Sequence, residues 1–209
     1  PYAHANLIDR YLVAAEASDI EPILLLNKTD ILDDEAQAHL EPMLARYQKL
    51  GYRIIRASTK SLSGLEELHA TLDQKVSVFV GQSGVGKSSL VNVLLPGVDI
   101  KTLPLSEQTN KGVHTTTTAK LFHLPNGGQL IDSPGIREFG LWHMDTATLL
   151  EGFVEFRPYL GYCKFSDCSH EHEPACALLK ALEDGHIDPA RMHSFQNIKA
   201  SLDDFTTHN

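Results

Sequence analysis

The stretch Gly81-Gln82-Ser83-Gly84-Val85-Gly86-Lys87-Ser88 constrains the fold of this 209-residue chain more than any other. It follows the apolar run Val76-Ser77-Val78-Phe79-Val80 and opens a helix-forming run that reaches Leu95. A glycine-rich turn between a strand and a helix start is the arrangement of a phosphate-binding loop. The glycines let the backbone close around phosphates and turn its N–H groups inward, and the helix start favours negative charge. Gly81, Gln82, Ser83, Gly84, Val85, Gly86, Lys87, Ser88 and Ser89 are therefore candidate nucleotide contacts. Lys87 is expected to reach the β- and γ-phosphates, where it assists catalysis, and Ser88 to coordinate Mg²⁺.

Around that loop, strand-like and helix-like runs alternate. Residues 6–18 and 34–49 have helical spacing, as do 64–72 and the segment after the loop. Leu7, Tyr11, Leu12 and Ala15 fall close to one face of the first helix. The runs Glu21–Asn27, Tyr52–Ser58 and Val76–Gly81 read as buried strands, and 119–125 and 128–133 as a hairpin turning at Asn126-Gly127-Gly128. This pattern predicts an α/β fold with a mostly parallel sheet and helices on both faces. Beyond about residue 143 the strand pattern stops, so residues 1–142 are expected to form one domain and 143–209 a small helical subdomain.

A base-reading motif stands in an unexpected place. Asn27-Lys28-Thr29-Asp30 ends a strand, and it precedes the phosphate loop instead of following it. The Asp30 carboxylate can accept two hydrogen bonds from guanine N1 and the exocyclic amino group, which adenine does not offer. Asn27 can tether the two loops, and the Lys28 stem can lie along the base. Ser58 and the backbone N–H groups near it are candidates for guanine O6. Together these favour GTP and GDP over ATP. Asp132 ends another strand before Pro134-Gly135. A carboxylate there suits Mg²⁺, held through water, and the Gly135 N–H suits the γ-phosphate.

The three cysteines all lie between Cys163 and Cys176, beside His170 and His172. An odd, local set next to histidines reads as metal ligands in a reducing compartment rather than as a disulfide framework. Cys163, Cys168, Cys176 and one imidazole suit a closed, structural Zn²⁺ site, with His170 and His172 competing for the fourth place. With 27 acidic against 18 basic residues, the chain carries a formal charge of −9, which argues against a broad electrostatic grip on nucleic acid by this piece alone. Its apolar runs are too short to cross a bilayer, so no membrane partner is expected.

The order of "NKTD", "GQSGVGKSSLVN", "GVHTTTTAKLFHL" and "LIDSPGIREFGL", followed by "CKFSDCSHEHEPAC", resembles the circularly permuted GTPases of the ribosome small-subunit-dependent GTPase A family. The likeness covers nearly the whole chain. It implies a circularly permuted P-loop GTPase domain with a helical zinc-binding subdomain. It also implies GTP hydrolysis coupled to late maturation of the small ribosomal subunit, contact with 16S rRNA, a monomer and a cytoplasmic location. It favours His170 as the fourth ligand of one Zn²⁺ per chain. Family members usually carry an N-terminal RNA-binding OB-fold domain and a strand before the first helix here. The chain is therefore expected to be an incomplete member.

The resemblance also assigns the switch. Among Thr115, Thr116 and Thr117, it favours Thr116 as the hydroxyl that completes the Mg²⁺ shell. Ile136 follows Gly135 where some GTPases have a glutamine, and an apolar side chain cannot orient the attacking water, so slow intrinsic hydrolysis is expected. The resemblance points to His114 as a participant in that step, although Val113 precedes it where the family often has arginine. Two other functions stay open at this point. One is a different translation-associated GTPase, and the other is a GTP-gated RNA or protein binding module with negligible turnover.

Overall fold

In chain order the elements are α1 (Ala5–Ala17), β1 (Ile23–Leu26), α2 (Asp34–Lys49), β2 (Arg53–Arg56), α3 (Leu65–Leu72) and β3 (Val76–Val78). They continue with α4 (Lys87–Leu94), β4 (Lys120–His123), β5 (Gln129–Asp132), α5 (Thr146–Gly152), α6 (Ala177–Glu183) and α7 (Pro189–Thr207). The computed structural model describes residues 3–95, 97, 120–132 and 144–207, with the backbone only for Lys120, Asp132 and residues 203–207.

Among these residues, 23–39, 54–95, 97 and 120–132 form one compact unit, and 3–22, 40–53 and 144–207 form another. The chain passes between the units inside α2 and again inside β2. The α2 helix starts on Asp33, whose carboxylate accepts the Ala36 N–H at 2.8 Å, and it carries Pro42 in its interior. That proline has no N–H to donate, so the helix forgoes one backbone bond there.

In the first unit β1 pairs with β2, while β3, β5 and β4 make a second sheet with β5 at its centre. β3 runs parallel to β5, with Val76 opposite Gln129 and Val78 opposite Ile131. β4 and β5 are the expected antiparallel hairpin, with Phe122 opposite Leu130. Its turn is closed by the Leu124 N–H on the Gly128 carbonyl at 2.7 Å. The third strand is shorter than its sequence suggests, because pairing stops at Val78 and Phe79 packs half-buried against the core. That core joins Ile55, Leu65, Leu68 and Leu72 to Leu90, Leu94 and Leu130. One face each of α3 and α4 is thereby fixed.

The second unit is helical. α1 packs on α5 and α7, and its core is built on Phe153, Phe156 and Phe195. Phe153 and Phe156 stack at 4.9 Å between ring centres, and Phe195 meets them edge-on at 5.8 and 5.5 Å. Leu12 and Ala15 of the expected α1 face are buried, but so are Val13, Ala14 and Asp9, because α1 has neighbours on more than one side. Asp9 and Arg191 are each only 1% exposed. The guanidinium donates to Asp9 at 2.5 Å and forks onto the two oxygens of Glu155 at 2.6 and 3.1 Å. The Tyr47 hydroxyl donates to the same Asp9 oxygen at 2.7 Å, and the cation lies over the Phe153 ring at 4.4 Å. Every buried charge in this group thus has a partner, as burial requires.

Candidate functional site

The base-reading turn is made by a break in β1. Past Leu26 the chain reaches Lys28 in the left-handed region, with φ of 63°, and a 3-10 turn spans Thr29–Ile31. The Thr29 N–H and hydroxyl both donate to the Ala57 carbonyl at 3.2 Å, which fastens this turn to the loop after β2. That loop is itself closed by the Ser58 N–H on the Ser63 carbonyl at 3.0 Å. Gly64 ends it with φ of +69°, and a Cβ there would stand 1.9 Å from the Arg56 carbonyl oxygen.

Ser58 is fully buried, and its hydroxyl donates to the Asp30 carboxylate at 2.5 Å. The same oxygen accepts the Lys60 and Ser61 N–H groups at 3.2 and 3.1 Å. Ser58 thus aims Asp30, and Asp30 itself stays exposed to solvent.

Two side chains join this turn to the phosphate loop. The Asn27 amide donates to the Val85 carbonyl at 2.9 Å, and the Lys28 ammonium donates to the Gly84 carbonyl at 2.6 Å. The approach is close enough to require glycine at 86, where φ is +98° and a Cβ would lie 2.3 Å from the Asn27 amide nitrogen. Asn27 Oδ1 is buried and has no hydrogen-bond partner among the described residues. Lys87 Nζ donates to the Gly81 and Gln82 carbonyls at 2.6 and 2.9 Å, so the ammonium sits within the loop. Gly86 caps α4, and the first turn of that helix contains Lys87, Ser88 and Ser89. Their N–H groups belong to the helix start that lacks intrahelical acceptors. The base-reading and phosphate-loop candidates, two separated stretches of sequence, are thus in direct contact. Asp132 ends β5 as expected, and its side chain is outside the described residues. His114, Thr115, Thr116, Thr117 and Gly135 lie outside them too.

In the helical unit, one ligand atom each from Cys163, Cys168, His170 and Cys176 lies within 4.8 Å of all the others. The Cys163 and Cys176 sulfurs are 3.9 Å apart, and His170 Nδ1 is 3.5 and 3.3 Å from them. Tetrahedral Zn²⁺ with ~2.3 Å bonds to sulfur spaces its sulfurs by roughly 3.8 Å. The cluster therefore fits that ion in donor type and in spacing. His172, the rival imidazole, is exposed and outside the cluster. Burial pushes the Cys168 thiol up to about 12, with the neighbouring thiols adding to the shift, and burial lowers the His170 imidazole. The thiol proton must leave before a cation can be bound, whereas the lowered imidazole favours the neutral form that a metal needs.

Sequence reading missed Glu173. Its carboxylate accepts the Ser169 N–H at 2.7 Å and the Ser169 hydroxyl, and also the Glu171 and His172 N–H groups at 3.1 and 3.2 Å. These bonds, led by the Ser169 hydroxyl, hold its carboxyl well below the usual carboxylate range. The Glu-x-Glu pattern near a cysteine was the available signal, but an acidic residue in a polar loop is ordinarily solvated.

A phosphate loop tied in this way to a base-reading turn that precedes it in sequence defines a P-loop GTPase domain in circularly permuted order. The family model described as RsgA GTPase matches residues 1–142, and the chain belongs to that family. The small ribosomal subunit biogenesis GTPase RsgA of Azotobacter vinelandii is 62% identical over 97% of this chain and 59% of its own length. The protein of the same name from Pseudomonas fluorescens Pf-5 is 59% identical over 98% of the chain and 60% of its own length. The chain thus spans about 60% of the length of these curated relatives.

Among solved structures, YjeQ from Thermotoga maritima superposes with a TM-score of 0.81 at 33% identity, covering 96% of this chain and 66% of that one. YloQ, described as a circularly permuted GTPase, gives 0.77 at 30% identity, covering 98% and 64%. No helix among the described residues is long and apolar enough to cross a membrane.

Proposed function

We propose that the chain binds and hydrolyses GTP, and that its nucleotide state governs contact with a maturing small ribosomal subunit through 16S rRNA. The observation that carries this reading is the pair of bonds from Asn27 and Lys28 to the Val85 and Gly84 carbonyls. They support a single pocket made of both motifs despite their inverted order. The names of the relatives supply the ribosomal half of the reading. In it, residues 1–142 carry the nucleotide chemistry and 143–209 the metal segment. The protein works as a cytoplasmic monomer.

In the pocket, Asp30, aimed by Ser58, accepts guanine N1 and the exocyclic amine, and the Lys28 stem lines the base. Guanine O6 falls to the loop after β2 that carries Ser58, whose hydroxyl donates to Asp30 and accepts from the Lys60 and Ser61 N–H groups. Gly81 to Ser89 hold the phosphates, Lys87 moves its ammonium from the loop carbonyls onto the β- and γ-oxygens, and Gly135 donates to the γ-phosphate. Ser88, Thr116 and Asp132 are hard oxygen donors that suit Mg²⁺, which when bound neutralises charge on the β- and γ-phosphates. His114 orients the water, a role that Ile136 cannot fill. Water attacks the γ-phosphorus, its bond to the β–γ bridging oxygen breaks, and GDP and phosphate leave. Cys163, Cys168, His170 and Cys176 hold one structural Zn²⁺, whose four protein ligands leave no open position for catalysis.

Release of phosphate from GTP and from ATP, with and without purified small subunits, tests the reading. Turnover of GTP alone, strongly stimulated by small subunits, is the expected result. Stimulation by large subunits only would redirect the protein to another step of translation. Tight GTP binding with no turnover under any condition would leave the GTP-gated binding module, which Ile136 favours as the second reading.

A further inference from the structure

His170 lies in a short loop whose backbone is costly to hold. Its φ is 62° and that of Ala175 is 59°, left-handed values that non-glycine residues rarely adopt. A side chain of the loop itself and one from α7 fasten the residues on either side of His170. Glu173 Oε1 accepts from the N–H and hydroxyl of Ser169, and Oε2 accepts from the N–H groups of Glu171 and His172. Lys199 of α7 donates to the Ser169 carbonyl at 3.2 Å and pairs with Glu171 at 2.8 Å.

Both oxygens of Glu173 are occupied, so this carboxylate does not serve as a further ligand. The pins fall on Ser169 and Glu171, the immediate neighbours of His170, and on the backbone of His172. They leave the His172 side chain exposed, outside the cluster. The geometry points to Glu173, with Lys199 behind it, as the positioning residue of the metal segment: it fixes the loop so that His170, and not His172, completes the thiol set. This rests on the zinc reading above.

Zinc affinity of the whole chain is measured by competition with a chromophoric chelator, and Co²⁺ absorption reports the ligand set. Glu173→Ala is expected to weaken Zn²⁺ binding about 10- to 100-fold, the range found for supporting partners of metal ligands. Glu173→Gln keeps the shape and is expected to lose less. In the parent chain His172→Ala is expected to change nothing, whereas in the Glu173→Ala background it should lower affinity further and alter the Co²⁺ bands, because the released loop lets His172 compete. A merely structural role would not make His172 matter.

Should Glu173→Ala fail to fold, Ser169→Ala removes a single hydroxyl donor and should still weaken binding several-fold. Parent-like affinity and Co²⁺ spectra in the Glu173 or Ser169 variants would overturn the proposal while leaving the zinc site standing. A parent chain that binds no zinc would overturn both.

Discussion

The two units of this molecule solve the problem of placing polar groups in opposite ways. In the nucleotide-binding unit the key bonds run from side chains to backbone carbonyls: Asn27 to Val85, Lys28 to Gly84 and Lys87 to Gly81. Any fold that brings the loops together supplies those acceptors. In the helical unit the key bonds run between side chains, Arg191 to Asp9 and Glu155, and Tyr47 to Asp9. Each partner there must be the right residue. A site that leans on backbone tolerates a reordered chain, which is how a permuted GTPase keeps its pocket. A buried ion network does not tolerate the loss of one member.

Arg191→Ala should break the comparison most visibly. It leaves two carboxylates buried without their cation, at about 3–5 kcal/mol, read as a loss of stability in denaturant unfolding. Gly86→Ala probes the other unit. Its Cβ would collide with the Asn27 amide, so GTP affinity should fall about 100-fold, roughly 2.7 kcal/mol, with helix content by circular dichroism unchanged.

Tyr47→Phe sharpens the contrast through pH. Burial, with Asp9 second, raises the Tyr47 phenol above its ordinary value. A raised folded-state value favours the protonated form, so the associated stability is present below the unfolded value of about 10 and is lost as pH rises above it. The variant should lose about 1 kcal/mol at neutral pH and should lack the parent's Tyr47-linked loss of stability in alkaline unfolding scans.

Arg157→Ala removes a pair with Glu16 in which the arginine side chain is 46% exposed, and unfolding should register less than about 1 kcal/mol. A loss comparable to that of Arg191→Ala would erase the distinction between buried and exposed pairs.

Local signals carried most of what the sequence disclosed. The phosphate loop, the base-reading turn, the hairpin and the limits of α2 follow from glycine, capping and periodicity within a few residues. The four metal-ligand candidates are close in sequence as well as in space. What stayed hidden depends on distant partners. Asp9 on α1 reads as a solvent-facing residue until Arg191 is packed against it. The membership of α1 in the helical unit is likewise set by α5 and α7, which come after more than half the chain. The pin at Glu173 was hidden for another reason: four donors converge on it only after the loop has adopted its left-handed residues.

The bond between Asp9 and Arg191 joins positions separated by 182 residues. A ribosome adds about 5–20 residues per second, so α1 emerges roughly 10–40 s before α7 is made. During that interval Val13 lacks the cover of Met192, Phe195 and Ile198 of α7, and an unpartnered apolar helix invites capture by other nascent chains. The nucleotide-binding loops are complete much earlier. Vectorial synthesis therefore orders the two units in time, the pocket first and the helical closure last.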